Sequence, residues 1–255
     1  MNHSTPISAV IITFNEERNI ERCLRSLQGV ADEIVVLDSF SADRTEEICR
    51  SFGVKFHQRA FTDYSDQKQC AVQLAGFDHI LSLDADEALS DNLRRSILEV
   101  KNNWQADGYT FNRLTNYCGK WIYHCGWYPD VKLRLWNRKM GGWDGNMIHE
   151  SVKMKPGSTT MHISGDLLHY SYYSRQQHLD QIEKFTDLSA KELVEKGKSA
   201  LPAEAVMKGM WKFIRDYIVK LGVLDGKEGF TISRLSAYAT YIKYLKIYRL
   251  QKQHK

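Results

Sequence analysis

The 255-residue sequence lacks the patterns that mark several large protein classes. Its five cysteines are odd in number and form no CxxC pair, so we expect reduced thiols in a cytosolic protein rather than a disulfide framework. No apolar run approaches the roughly 20 residues that span a bilayer, and residues 1–14 lack the basic stretch of a signal peptide. Neither GxGxxG nor GxxxxGKS/T occurs, which argues against the common glycine-rich phosphate-binding loops.

Charge is distributed unevenly along the chain. The net charge is +4, but residues 203–255 contain 11 Lys and Arg against four acids, a net of +7, so the preceding 202 residues carry −3. The composition, 43% hydrophobic and 26% charged, is that of an ordered globular protein. A mildly acidic body with a basic C-terminal segment predicts that this segment meets an anionic partner.

Apolar strands and amphipathic helices alternate through the first hundred residues. Strands are predicted at residues 7–12, 33–37, 54–56 and 79–83, with a single helix after each. Single helices between strands favour an α/β fold in which a mainly parallel sheet is covered by helices on both faces. After Gly108 we expect strands at 109–114 and 131–136, and helices from about Tyr173 onward.

Three of these predicted strands end in polar residues, at the sheet edge where α/β proteins bind ligands. The first runs into Thr13–Glu17, the second into Asp38–Asp43, and the fourth into Asp84–Glu87. Two carboxylates in an Asp-x-Asp arrangement after a buried strand can converge on Mg²⁺ or Mn²⁺, which takes its other ligands from a diphosphate. A turn that only caps the next helix is the alternative, and the neighbouring polar strand end favours the metal site.

Three ordered motifs resemble the family 2 glycosyltransferases, which have the GT-A fold. They are IITFNE at residues 11–16, VVLDSFSADRT at 35–45 and LDADE at 83–87, and the resemblance covers residues 6–175. The NEE, DSxSxDxT and DADE sequences within these motifs are most similar to those of the bacterial lipopolysaccharide-core glucosyltransferases. The resemblance implies a GT-A nucleotide-sugar-binding and catalytic domain at residues 1–175 and a helical tail at 176–255.

The activity that this resemblance implies is a metal-dependent, inverting sugar transfer. The donor would be a nucleotide-sugar, with glucose from UDP-glucose favoured. The acceptor would be a lipid-linked saccharide such as the lipopolysaccharide inner core, met by a peripheral protein at the cytoplasmic face of the inner membrane.

The resemblance also assigns residues to the nucleoside part of the donor. Thr13, Phe14 and Glu16 would surround the base and the ribose. Asp38 would accept a hydrogen bond from the uracil imide, since an ionised carboxylate can only accept. Asp43 is expected to cap the following helix instead.

Other residues are assigned by resemblance to the diphosphate and the metal. Lys68 would lie near the donor phosphates, unless it is a solvated helix lysine. Arg134 would face the diphosphate or pair with a carboxylate. Asp84 would touch the ribose or the metal, Asp86 would bind the metal, and His169 would be its C-terminal ligand.

Inverting transfer also needs a general base on the acceptor hydroxyl. The segment from Leu133 to Glu150 resembles the family stretch that ends in an acidic Glu-Asp site, although this chain reads His-Glu there. That alignment gives Glu150 the base role, with Asp130 second and Asp144 and Glu87 as further candidates.

The basic tail is predicted to form two amphipathic helices, at about 203–221 and 232–250. The apolar stripe of the first comprises Met207, Met210, Trp211, Ile214, Ile218 and Leu221. The stripe of the second comprises Leu235, Tyr238, Ile242 and Leu245. Such helices favour adsorption to an anionic leaflet. The alternative is a helical hairpin that packs on the catalytic domain or on another subunit.

Other kinds of function stay open on the residues alone. A nucleotidyltransferase of similar fold normally has a glycine-rich basic loop after its first strand, and residues 13–18 contain no glycine. A noncatalytic module that binds anionic membranes or nucleic acid would not need clustered carboxylates, and we expect no nucleic-acid partner. A zinc site at Cys118 and Cys125 would lack the usual finger spacing.

Overall fold

The computed structural model describes residues 4–146 and 149–253. They form two compact units, each built from two stretches of chain. The first unit comprises Met1–Arg113 and Asp130–Tyr170, and the second Leu114–Pro129 and Ser171–Lys255. The second unit therefore includes residues 114–129, which the predicted division at residue 175 places with the catalytic domain.

Strands and helices alternate in the first unit as the sequence pattern predicts. The strands of the described chain are β1 Ile7–Thr13, β2 Glu33–Asp38, β3 Lys55–Gln58, β4 His79–Asp84, β5 Glu87–Leu89, β6 Gly108–Tyr117, β7 Lys120–Ile122, β8 Asp130–Asn137, β9 Gly141–Asn146, β10 His149–Met154 and β11 Thr160–Tyr172. The helices are α1 Ile20–Leu27, α2 Thr45–Ser51, α3 Tyr64–Leu74, α4 Asp91–Asn102, α5 Arg175–Glu195, α6 Pro202–Ile214 and α7 Gly226–Gln253.

The main sheet has the strand order β3-β2-β1-β4-β8-β6-β11-β5, with β7 paired to β6. Strands β1 to β4 run parallel to one another, because along the chain a single helix separates each of them from the next. In this register Thr13 lies opposite Asp38, and Ile12 opposite Asp84. The three polar strand ends therefore meet at one edge of the sheet, as predicted.

The other half of the sheet is antiparallel. Strand β8 pairs antiparallel with both β4 and β6, and β11 pairs antiparallel with β5. The α/β class with a C-terminal helical segment is confirmed, and the sheet is mixed because the strands after residue 107 follow one another without crossover helices. The sequence pattern does not predict β5, β7, β9, β10 or β11. Strands β5 and β7 have only three residues each, β9 and β10 form a polar hairpin, and β11 mixes polar and apolar residues.

Helices cover both faces of the parallel strands. Ile7, Ala9 and Ile11 of β1 are fully buried and pack with α1, α2 and α4. The intervening Val10 is buried on the opposite face, where α3 and Trp143 pack. Successive strand residues point to opposite faces, so an unbroken apolar run such as β1 requires cover on both sides.

The second unit is mainly helical, with α7 packed against α5 and α6. Helix α6 ends at Ile214 and is followed by a π-helical turn, Arg215–Val219, and a 3₁₀ turn, Gly222–Asp225. The buried Asp225 carboxylate accepts hydrogen bonds from the backbone N of His124 at 2.9 Å and pairs with its ring Nδ1 at 3.0 Å. This contact ties residues 114–129 to the helices of the same unit.

Gly165 provides a test of how β11 packs on α4. At its φ of +99°, an added Cβ would lie 2.3 Å from the backbone N of Leu93. We expect Gly165→Ala to lower the free energy of unfolding by about 3 kcal/mol, from left-handed strain and steric overlap together. Gly157→Ala is the control, because its φ is +85° with no atom within 4 Å, and it should cost about 1 kcal/mol. Equal losses in urea unfolding would contradict this packing.

Candidate active site

The loops after β1 and β2 are fastened to each other by side chains of the sequence motifs. Asn15, in a left-handed conformation with φ of 55°, accepts a hydrogen bond from the Ala42 N at 2.8 Å. Its own N donates to Ser41 Oγ at 2.8 Å. The next backbone N, of Glu16, donates to Thr45 Oγ1 at 2.8 Å. Several residues of the first two motifs therefore shape the loops that follow the strands.

Asp43 has the capping role predicted for it. Its carboxylate accepts hydrogen bonds from the Thr45 N at the start of α2 and from the Glu17 N, both at 3.0 Å. The Glu17 carboxylate in turn accepts from the Arg44 N at 3.1 Å. Both acids are thus engaged in holding the two loops together.

The residues assigned to the nucleoside differ in their surroundings. Asp38 is fully buried, and its carboxylate accepts from the Ser41 N at 2.8 Å and from Gln58 Nε2 at 3.3 Å. Thr13 is also buried, and within the described residues its Oγ1 has no hydrogen-bond partner. Phe14, in contrast, is 57% exposed. This edge therefore has an unpaired hydroxyl just below the surface and an exposed aromatic ring next to it.

Glu16 is half-buried near the acids of the third motif. Asn19 Nδ2 donates to its carboxylate at 2.7 Å. Burial raises the pKa of Glu16 to about 7, against the effect of the Asn19 bond, and the charges of Asp86, Asp43 and Asp84 raise it further. The structure therefore brings Glu16 close to the Asp-x-Asp motif.

Lys68 is buried beneath this motif and is not a solvated helix lysine. Its Nζ lies 2.8 Å from Asp84 and 3.1 Å from Glu150. Arg134, also buried, places Nη2 3.0 Å from Asp84 and 3.3 Å from Glu87. Burial alone would raise the pKa of Asp84, but the charges of Lys68 and Arg134 hold it well below its usual range.

The pairing of charges continues through Glu87. This carboxylate is almost fully buried, accepts from the Asp84 N at 2.9 Å and lies 3.6 Å from Arg113. Arg113 pairs with Asp130 at 2.8 Å, and Asp130 with Lys132 at 2.9 Å. Acids and bases thus alternate along a row that we call the charge chain: Glu150, Lys68, Asp84, Arg134, Glu87, Arg113, Asp130 and Lys132.

The candidates for the general base occupy different places relative to this chain. Glu150 stands at one end and is partly exposed, beside the cation that Asp84 also contacts. Asp130 is separated from Asp84 by three other members. Glu87 lies in the middle, and its carboxylate faces Arg134 at 3.3 Å and Arg113 at 3.6 Å. Asp144 lies outside the chain and pairs with Lys153 at 2.6 Å on the β9–β10 hairpin.

Asp86 and His169 face each other beside the charge chain. Their Oδ2 and Nε2 atoms are 3.2 Å apart, and the pairing of β5 with β11 holds the two side chains in place. Two ligands of one octahedral cation, at bonds of 2.0–2.1 Å, lie about 3 Å apart. Within residues 4–146 and 149–253 no group of three His, Cys, Asp or Glu side chains is arranged for a metal. A cation here would therefore take further ligands from the diphosphate or water.

Two aromatic residues of the site were not identified from the sequence. The Trp143 ring lies 4.7 Å from Lys68 Nζ and 5.1 Å from the Arg134 guanidinium carbon, so one ring covers both cations. Tyr64 begins α3, and burial together with the charges of Asp84, Glu150 and Asp86 raises its pKa. The only signal for Trp143 is its place in the Gly-Gly-Trp-Asp stretch before Glu150.

Comparison with known proteins gives consistent results. A family model described as glycosyl transferase family 2 matches residues 8–155. An uncharacterized glycosyltransferase of Rickettsia typhi is 28% identical over 255 residues, which covers 96% of this chain and 87% of the relative. The lipopolysaccharide core biosynthesis glycosyltransferase LpsC of Rhizobium meliloti is 27% identical over 256 residues, which covers 96% of this chain and 92% of the relative. Both relatives therefore have counterparts of nearly the whole chain.

Among solved structures, that of S. aureus TarS in complex with UDP-GlcNAc aligns at 11% identity and a TM-score of 0.46, covering 98% of this chain and 93% of that chain. A second is glucosyl-3-phosphoglycerate synthase from Mycobacterium tuberculosis in complex with Mn²⁺, UDP and glucosyl-3-phosphoglycerate. It aligns at 19% identity and a TM-score of 0.36 over 44% of each chain.

Glu16 gives the ligand-free protein a specific dependence of stability on pH. Because its folded pKa of about 7 lies above the ordinary 4.5, its contribution is complete below about pH 4.5 and is lost as the pH rises through 7. The stability of Glu16→Gln relative to the native protein should therefore increase from pH 5 to pH 8 in urea unfolding. Exposed Glu21→Gln is the control and should show a constant difference. The same constancy for Glu16→Gln would contradict the prediction.

Proposed function

The chain belongs to glycosyl transferase family 2 and is a glycosyltransferase, and we propose that it transfers glucose from UDP-glucose to a lipid-linked saccharide with inversion and with a divalent metal. The observation that carries this proposal is the meeting of Asp86, His169 and the charge chain at the edge where β1, β2 and β4 end. Family membership favours sugar transfer over a nucleotidyltransferase or a noncatalytic module.

We assign the metal to Asp86 and His169. Asp84 already faces two buried cations, whereas Asp86 has the His169 ring at 3.2 Å, so Asp86 is the better placed of the two acids to hold a further positive charge. When bound, Mg²⁺ or Mn²⁺ neutralises the charge that develops on the leaving nucleoside diphosphate. Asp84 then orients Lys68 and Arg134 and is a candidate to contact the ribose.

The donor diphosphate is assigned to the two cations under Trp143. Arg134 retains two buried donors, Nε and Nη1, with no hydrogen-bond partner among the described residues. Unpaired guanidinium donors suit the oxygens of a phosphate. Lys68 adds a point charge at the same place. Thr13, Phe14, Glu16 and Asp38 remain our candidates for the nucleoside, with the unpaired Thr13 hydroxyl as the structural support.

Glu150 is the general base that the geometry favours. Both Glu150 and Asp84 contact Lys68 Nζ, so the carboxylate of Glu150 lies one side chain away from the Asp-x-Asp motif. A base must reach the acceptor hydroxyl at hydrogen-bond distance. Asp130 is held by Arg113 and Lys132 at the far end of the chain and stays the second candidate.

The acceptor proposal draws on the relatives and on the tail. LpsC, by its name, acts in lipopolysaccharide core biosynthesis, and it matches nearly the whole chain. We therefore propose a lipid-linked saccharide such as the lipopolysaccharide inner core. A peripheral protein at the cytoplasmic face of the inner membrane would meet that acceptor, and the net charge of +7 in residues 203–255 suits an anionic surface.

Asp86→Ala tests the metal assignment. We expect transfer to fall by at least about a hundredfold, because the diphosphate loses the metal that offsets its charge. Calorimetry should show Mn²⁺-dependent UDP binding in the native protein and its loss in the variant. Asp91→Ala, an exposed acid at the start of α4, is the control and should behave as the native protein. Full activity of the Asp86 variant, in the presence of EDTA, would refute a metal at this site.

Glu150→Gln tests the base assignment. The variant should bind UDP and Mn²⁺ as the native protein does, yet transfer glucose at least about a hundredfold more slowly, which is the usual contribution of a positioned base. Asp130→Asn is the matched comparison and should keep most of its activity. The reverse result, an active Glu150→Gln and an inactive Asp130→Asn, would give the base role to Asp130.

A further inference from the structure

The second unit exposes an unusual number of large apolar side chains on one stretch of chain. Met207, Met210 and Trp211 of α6 are 60–64% exposed. The same stretch continues beyond the helix with Ile218, Val219, Leu221, Val223 and Leu224, each at least 49% exposed. Scattered exposed apolar residues are normal, but a contiguous series marks an interaction surface. We call residues 206–224 the apolar face.

Packing inside the unit does not account for this face, because α6 packs through its other side. Ala205 and Gly209 of α6 are buried, and a Cβ on Gly209 would lie 3.1 Å from Tyr241 of α7. An adjoining groove of about 540 Å³ lies between the two helices, within the size range of small-molecule sites. It is lined by Val206, Gly209, Met210, Phe213, Ile214, Ala237, Tyr238 and Tyr241.

Positive charge borders the apolar face. Residues 206–224 carry four cations, at positions 208, 212, 215 and 220, against one acid, the buried Asp216, and Lys208 also pairs with Glu204 at 2.7 Å. Asp216 is shared by Lys212 at 2.8 Å and Arg215 at 3.1 Å. The exposed charge around the apolar side chains is therefore mainly positive.

We propose that the apolar face inserts into the outer acyl-chain layer of an anionic lipid leaflet. Helix α6 has 13 residues and is about 20 Å long, and no helix of the described chain is suited to cross a bilayer, so the helix would lie in the plane of the interface. The bordering cations then meet lipid phosphates, Trp211 lies at the depth that tryptophan favours, and the groove accepts part of an acyl chain.

A second copy of the chain is a poorer occupant. A symmetric dimer through this face would bring the same positive border of two chains together, and like charges across an interface oppose association. An anionic leaflet offers the opposite sign. The charge of the border therefore selects the lipid surface.

Helix α7 does not present a second membrane-binding face, although its amphipathic sequence pattern predicts one. Its stripe residue Leu235 is buried, and Ile242 and Leu245 are half-buried, because α5 and α6 pack against this helix. The inserting element is therefore α6 with the two turns that follow it, and α7 supports it from behind. The inference rests on the proposed function only in the role that it gives to membrane insertion, which is to bring a lipid-linked acceptor within reach of the enzyme.

Vesicle sedimentation of the full chain tests this inference. The native protein should bind vesicles of phosphatidylcholine with 30% phosphatidylglycerol, and Met207→Ser/Trp211→Ser should reduce the partition coefficient at least tenfold. Leu74→Ser/Met161→Ser is the matched control, since both side chains are exposed apolar residues of the first unit, and it should bind as the native protein does. Binding should weaken but persist at 1 M NaCl, because screening removes the contribution of the cations and leaves the apolar one.

Tryptophan emission gives an independent measurement. Vesicles should shift the emission of the native protein to the blue, and Trp211→Phe should lose most of that shift while it still sediments with the vesicles. Equal vesicle binding by native protein and Met207→Ser/Trp211→Ser, or no native binding, overturns the inference. A native dimer in light scattering that Met207→Ser/Trp211→Ser converts to monomer, with no vesicle binding by either, assigns the face to a second copy and also overturns it.

UDP calorimetry separates this inference from the proposed function. Met207→Ser/Trp211→Ser should bind UDP and Mn²⁺ as the native protein does, because the donor residues belong to the first unit. Absence of UDP binding in the native protein would refute the donor assignment and leave the vesicle result standing.

Discussion

Charge buried at the edge of the sheet has to be paired, and the rest of the site is arranged around that requirement. Lys68 and Arg134 are buried, and either cation would cost several kcal/mol if it were left unpaired; Asp84, partly exposed at the end of its strand, faces both of them. Its two cations come from distant parts of the chain, Lys68 from α3 and Arg134 from β8. The antiparallel half of the sheet is therefore more than an extension of the parallel half, because β8 brings Arg134 beside Asp84.

The same pairing explains which parts of the site could be read from the sequence. Strand ends at Thr13, Asp38 and Asp84 could be placed together, since parallel strands with an unbroken apolar pattern put their carboxyl ends at one edge. The alternation of charge could not be foreseen, because Lys68 and Glu150 are 82 residues apart and meet only in the folded chain. A buried lysine also has no local signature that separates it from a solvated one. Trp143 and Tyr64 could not be assigned to the site either, because only the folded chain brings them beside its charged residues.

The limits of local pattern are also visible in the fold. Strand β11 was not predicted, since it mixes polar and apolar residues and contains Gly165 at φ +99°. The helical tail was predicted correctly in type, but its two apolar stripes look alike in the sequence and have opposite surroundings. That of α7 is packed by α5 and α6 except at Tyr238, which is 37% exposed, whereas that of α6 is exposed along its length. Periodicity identifies an apolar face, and only the tertiary packing decides whether it is covered.

The mutual fastening of the first two loops has a consequence for how such enzymes can be altered. Asn15 and Glu17 of one loop bond to Ser41, Ala42 and Asp43 of the other, so neither loop has an independent conformation. Recombination between related enzymes that exchanges one loop alone would break these bonds even where each loop fits its own strand. The two loops therefore behave as one structural unit. A recombinant enzyme that is meant to acquire a new nucleotide preference would have to receive both loops from the same parent.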